Sequence, residues 1–212
     1  MRNSLLVFLF IASNYCRAQD VDYNDYRRKN EGFIHIYDKA IRSDLSCFTI
    51  GGIEESMGKG KLKEIPVKDY GKDFIRFDSG GIQVTIYSGP FFVTKHKITR
   101  EGGDHVVKID GKPFYGNYFK LPTTTISKII VVEGKDTVNI PASAYFDLYN
   151  PGYTFPDGSG NRKTKDGVYL SADKQTFYIY MQNNDDTGSY EVTWVIQDKK
   201  YLRRVLDFGF TQ

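Results

Sequence analysis

The sequence predicts a mainly β fold, either an antiparallel β-sandwich or a partly open barrel, with one N-terminal amphipathic helix. Three observations predict it. After Ser46 the hydropathy pattern switches to period two, as in Ile82, Val84 and Ile86 alternating with Gln83, Thr85 and Tyr87. Turn signals recur between the apolar runs: Gly51-Gly52, Gly80-Gly81, Gly102-Gly103 and Asp110-Gly111. Before Ser46 the spacing is helical instead. Short alternating runs punctuated by turns are the pattern of a sandwich or barrel. Residues 19–212 are expected to form one mainly β domain, with a subdomain division near residue 116 as the alternative.

Residues 1–18 read as a secretory signal. Arg2 gives a charged start, Leu5 to Ala12 is apolar, and Cys16-Arg17-Ala18 places small residues at −3 and −1 before Gln19. The segment is too short for a spanning helix. A secreted or periplasmic product follows. The alternative is a lipid anchor on Cys16, although Tyr15 and Ser13 stand where a lipoprotein signal has a small residue and leucine. Only under that alternative is the protein membrane-anchored.

Removing the signal changes the bulk properties. The chain has a net charge of +3, and residues 1–18 hold Arg2 and Arg17 with no acid, so the exported part carries +1. That gives no global field for a polyanion, and nucleic acid is not an expected partner. Of the two cysteines, Cys16 leaves with the signal, so Cys47 has no intramolecular disulfide partner and is expected to be a buried structural thiol.

From Asn24 to Leu45, the apolar residues Tyr26, Phe33, Tyr37, Ala40, Ile41 and Leu45 fall near helical spacing, with charges on the other face. This predicts an amphipathic helix, most secure over Gly32 to Asp44, that covers a sheet or sheet edge. Further on, Ile126 to Val132 and Asp136 to Ile140 form a hairpin around Glu133-Gly134-Lys135. Asn150 to Gly167 is the longest loop and carries a cationic cluster at Arg162, Lys163 and Lys165. Val168 to Met181 and Tyr190 to Phe208 hold the strongest strand signals.

In the last hairpin, Val192, Trp194 and Ile196 must share a face with Leu202 and Leu206. A three-residue loop of Asp198, Lys199 and Lys200 pairs Ile196 with Leu202, Val192 with Leu206, and Trp194 with Arg204. A two-residue loop pairs Ile196 with Tyr201.

Catalytic motifs are missing. No nucleophile elbow, zincin helix or phosphate-binding loop occurs. Ser56-x-x-Lys59 and Ser171-x-x-Lys174 match a serine–lysine spacing that chance supplies. His35, His96 and His105 have no ligand spacing, and no cofactor is expected. Asp157, Ser159 and Asn161 begin like a calcium loop, but Arg162 and Val168 break the pattern. That run and Asn183 to Asp186 read as polar turns. Lys59, Lys61 and Lys63 read as edge-strand lysines that deter sheet pairing.

The candidate ligand-binding residues are Tyr178 and Tyr180. If Phe177, Ile179 and Met181 face the core, these two tyrosines face outward and offer a flat platform for a glycan or protein. The competing expectation buries them beneath the helix or a second sheet.

Asp186-x-Gly188-x-Tyr190 resembles the tyrosine-corner run of immunoglobulin-like domains, which implies a tyrosine hydroxyl bonding to the chain just upstream. Val192 stands where antibody domains have cysteine. Ala144-Tyr145-Phe146-Asp147-Leu148-Tyr149 and Tyr190-Glu191-Val192-Thr193-Trp194-Val195-Ile196 resemble uncharacterised small exported proteins of Gram-negative bacteria, over about a third of the chain. That resemblance implies no activity.

The expected function is an exported non-enzymatic binding or accessory protein, at the cell surface or in the periplasm, with an extracellular or periplasmic glycan or protein as partner. The alternatives are a secreted hydrolase of polysaccharide or peptidoglycan and a small outer-membrane β-barrel. Arg204 on an apolar face weighs against the barrel.

Overall fold

The computed structural model describes residues 31–117, 119–183 and 188–209, and the expected signal segment, residues 1–18, lies outside them. In chain order the strands are β1 (Lys63–Ile65), β2 (Val67–Tyr70), β3 (Phe74–Ser79), β4 (Ile82–Pro90), β5 (Ile98–Glu101), β6 (His105–Ile109), β7 (Thr124–Glu133), β8 (Asp136–Val138), β9 (Phe155–Pro156), β10 (Arg162–Lys163), β11 (Gly167–Leu170), β12 (Thr176–Asn183), β13 (Tyr190–Gln197) and β14 (Lys200–Phe208).

Two open five-stranded sheets dominate. One has the order β1-β11-β12-β13-β14, the other β2-β3-β4-β7-β8. Every pairing between these strands is antiparallel. Both sheets draw strands from either side of residue 116. The sheets are not closed into a barrel, so the architecture required by the membrane-barrel expectation is not found among the described residues.

The main core lies between the sheets. Ile75, Phe77, Val84, Ile86 and Val131 from one face Val168, Phe177, Ile179, Val192 and Trp194 from the other. Each set alternates along its strand, as the two inner faces of a sandwich require. The chain crosses between sheets at Pro66, where β1 ends at one sheet's edge and β2 begins at the other's. Proline is suited to such an edge because it has no amide to donate.

The N-terminal region forms a third layer, but not as one long helix. A 3₁₀ turn at Phe33–His35 is followed by the extended residues Ile36 to Asp38, and the helix α1 spans only Lys39–Leu45. Asp38 sets that start: its side chain accepts hydrogen bonds from the amides of Ala40 and Ile41, at 2.9 and 3.0 Å. An aspartate cap of this kind fixes a helix end. The break resets the phase, so Ile36 is buried while Tyr37 is 88% exposed. Phe33, Ile36, Ile41 and Leu45 then cover Tyr178, Val195 and Val205 on the outer face of the first sheet.

The last hairpin corrects the expected loop. Gln197 pairs with Lys200 and Ile196 with Tyr201, so the turn has two residues. Asp198 and Lys199 both have positive φ, 50° and 60°, as a type I′ turn demands. The face conflict is resolved by a bulge: Val195 pairs with Arg203, leaving Leu202 as the extra residue. From there the expected register is recovered, with Trp194 opposite Arg204 and Val192 opposite Leu206. A bulge inserts one residue and restores the alternation beyond it.

Candidate functional site

Tyr178 and Tyr180 face away from the main core, but no platform exists, because both are buried. Only 1% and 3% of their surfaces remain exposed. Tyr178 donates its hydroxyl to Asp44 at 2.8 Å, and Tyr180 donates to Glu191 at 2.8 Å. Phe48 lies against both rings and stacks on Tyr169 at 4.3 Å. Burial, then the Asp44 bond, pushes the Tyr178 hydroxyl pKa up; burial and the Glu191 charge do the same for Tyr180. The two residues fasten the N-terminal layer to the sheet.

Glu191 and Asp207 complete that fastening. They sit opposite each other on β13 and β14. Glu191 accepts from the amides of Ile50 and Gly51 at 2.8 and 2.7 Å, and Asp207 accepts from Phe33 at 2.8 Å. A Cβ on Gly51 would approach both carboxylates, at 2.9 Å from Asp207 and 3.2 Å from Glu191. Burial is the main cause raising both pKa values, and Asp207 adds repulsion at Glu191.

The other candidate residues have local duties. Arg204 is buried in an ion-pair cluster with Asp147 and Glu31. Tyr190 is fully buried, and its hydroxyl reaches the carbonyl of Tyr149 at 3.4 Å, while Asp186 of the expected tyrosine-corner run lies outside the described residues. Asp157 closes a polar turn, its Oδ1 accepting from the amides of Ser159 and Asn161 at 2.9 Å each. In the long loop, Arg162 bonds Thr154, Lys163 pairs with Asp157, and Lys165 lies over Phe155. His96 contacts Asp110 at 2.7 Å, and His105 stacks on Phe119. Cys47 is a free thiol but half-buried, not enclosed as expected, because it follows α1 at the margin of the third layer. Asn184 to Asp186 fall outside the described residues.

The structure instead brings lysines together at one end of the sandwich, where two rows of hairpin turns face each other. In one row, the Ser171–Lys174 turn is braced to the β13–β14 turn by the Asp198 amide, which donates to Gln175 O at 3.1 Å. In the other row, the Gly134 amide donates to Gly81 O at 2.7 Å. Between them lies an open cleft of about 640 Å³. Its lining includes Lys61, Lys63, Lys174 and Lys199, with Leu62, Ile82, Leu170 and Ala172 as its apolar members.

Local sequence explains this shape. Gly80 and Gly81 form a two-residue turn with positive φ, and side chains added there would meet open space, so this wall is low. Asp173 builds the opposing turn by accepting from the amides of Gln175 and Thr176 at 2.8 and 2.9 Å, which sets Lys174 at its tip. Lys63 lies on edge strand β1, where its edge position agrees with the sequence reading. All four lysines are exposed. Lys199 pairs with Asp136 at 2.6 Å, whereas Lys61, Lys63 and Lys174 have no carboxylate partner among the described residues.

One acid completes the lining. Glu133 ends β7 directly opposite Asp136 on β8. Like charges facing each other across strands are mutually destabilising. Lys199 satisfies Asp136 but not Glu133, whose Oε2 is buried with no hydrogen-bond partner among the described residues. A buried acceptor left so costs about 1–3 kcal/mol. The cleft therefore offers three ammonium groups that have no carboxylate partner among the described residues, beside an apolar lining, while Glu133 Oε2 is closed off from it.

The fold and cleft define a mainly β, sandwich-type protein with a cationic end cleft. Comparison with family models, curated proteins and solved structures finds no match.

Proposed function

We propose that this is an exported, non-enzymatic binding or accessory protein of the cell surface or periplasm, and that its end cleft takes an anionic ligand. The observation that carries this reading is the set of three lysines around an open cleft with no carboxylate partner among the described residues. Each ammonium is a compact, rotatable charge that suits anions presented at variable angles. With a net charge of only +1 after signal removal, attraction is local to this cleft and not spread over the molecule. The Arg2-to-Ala18 signal pattern supports export, with an unlipidated Gln19 start.

The test is retention of the exported protein on an array of acidic and neutral glycans and peptides. Acidic partners should be retained at low salt and released as salt rises. The combined K61S, K63S and K174S variant should lose at least tenfold in affinity. Retention unchanged in that variant would overturn the assignment of the cleft.

A further inference from the structure

Large apolar side chains are unevenly exposed. Ile34, Tyr37, Ile53 and Met57 are 70%, 88%, 64% and 89% exposed, whereas the next most exposed among the described residues, Phe92, reaches 51%. All four lie in the third layer and the turns that follow it. Arg42 draws those turns together. Its Nη1 donates to the carbonyls of Ile34 and Ile36, at 3.3 and 3.4 Å, and its Nε donates to Glu55 at 3.1 Å. Tyr37 adjoins Ile36, and the Ser56 amide donates to Ile53 O at 3.2 Å just before Met57. A Cβ on Gly58 or Gly60 would meet nothing within 4 Å, so this stretch stands clear of the sandwich.

The charge beside these side chains has one sign. Of the acids from residue 31 to 63, Glu31 pairs with Arg204, Asp38 caps α1, Asp44 accepts from Tyr178 and Glu55 pairs with Arg42, which leaves Glu54. Against it stand the exposed Lys39, Lys59, Lys61 and Lys63, with no carboxylate partner among the described residues. The Glu55 pKa is lowered by the Arg42 bond first and also by the charge of Lys59, which places Lys59 at the border of the apolar cluster. From there the alternate lysines lead into the end cleft, which Lys61 and Lys63 line. A stable protein interface buries about 800 Å² per partner, and four side chains on separate turns fall short of that. Apolar side chains beside a cationic row suit an anionic membrane surface, where the first enter the interface and the ammonium groups stay among the headgroups.

We infer that the anionic partner of the cleft is a lipid membrane surface: the four apolar side chains enter its interface while Lys59, Lys61 and Lys63 meet the headgroup phosphates. The inference rests on the anion-binding reading of the cleft, and it needs no lipid on Cys16.

The experiment is co-sedimentation of the exported chain with vesicles of phosphatidylcholine alone and of phosphatidylcholine with phosphatidylglycerol, beside calorimetric titration with soluble glycerol phosphate. Binding should be at least tenfold stronger to the mixed vesicles and should weaken as salt rises. The combined I34S, I53S and M57S variant should lose at least tenfold in vesicle affinity while its affinity for glycerol phosphate stays that of the parent, which also reports an intact fold. The K61S, K63S and K174S variant should lose both. If the apolar variant binds vesicles as tightly as the parent, or the parent binds no vesicles, while glycerol phosphate still binds, the membrane assignment fails and the anion cleft stands. If the parent sediments alone as a dimer that the apolar variant converts to monomer, the cluster is a self-interface and the membrane assignment fails. If neither vesicles nor glycerol phosphate binds, both fail.

Discussion

Arg204 and Trp194 face each other across β13 and β14, and both donate to the carbonyl oxygen of Ala144, at 3.3 and 2.9 Å. Arg204 also grips Asp147 through two nitrogens, at 2.6 and 2.8 Å, and reaches Glu31 at 2.8 Å. The segment from Ala144 to Asp147 is thereby pinned to the end of the core. Burial disfavours the Arg204 charge, but the bonds to Asp147 and Glu31 outweigh it and hold the guanidinium pKa above its ordinary value.

Removing one partner of this buried cluster should be severe. Arg204→Met leaves the Asp147 carboxylate, itself only 10% exposed, without its cation. Breaking such a pair costs about 3–5 kcal/mol. Urea unfolding should show a loss of that size, and a loss under 1 kcal/mol would contradict the anchoring role.

The bulge makes an unusual prediction about chain length. Leu202 is the unpaired extra residue and is 48% exposed. Deleting it leaves Tyr201 opposite Ile196 and Arg203 opposite Val195, so every core-facing side chain keeps its face. Deleting Val205 instead slips Leu206 to the wrong face, and a one-residue slip inverts a strand. The Leu202 deletion should fold with a thermal midpoint near the parent's, and the Val205 deletion should not fold.

The third layer should respond to pH through Glu191. Burial raises its folded pKa above the ordinary 4.5. The fold therefore favours the protonated acid. Its contribution to stability is fully present below the unfolded value and is lost as pH rises through the folded one. Tyr180→Phe removes a hydroxyl donor to the carboxylate and so drives the pKa further up. The stability gap between this variant and the parent should widen as pH rises above 4.5, towards about 1.5–3 kcal/mol, the range for a bond to a charged group. Urea midpoints from pH 4 to 8 measure it. A gap constant across that range would contradict the role of the Tyr180 bond.

Much of the sandwich is legible in the sequence because strand alternation is local. Phe177, Ile179 and Met181 face the core as their spacing says. That the N-terminal helix covers Tyr178 is one of the two expectations the sequence supports, but the contact with Asp44 is not legible, because it spans 134 residues of chain. The expected long helix failed at Asp38, whose capping role interrupts an otherwise helical spacing. The two-residue hairpin loop is not legible because Asp198 and Lys199 take positive φ without glycine, and a bulge absorbs the mismatch. Of the cleft, only the edge position of Lys63 was readable. Lys174 joins it through the β1–β11 pairing, which links distant parts of the chain.

The most direct test of the cationic cleft is amide chemical-shift mapping of the protein titrated with glycerol phosphate. The account predicts that shifts concentrate at the facing turns, on Gly80, Gly81, Gly134, Ser171 and Ala172, and disappear in the K61S, K63S and K174S variant. Shifts concentrated instead at the opening lined by Arg100, His105 and Leu121, or at the one lined by Tyr70, Gly152 and Arg162, would contradict it.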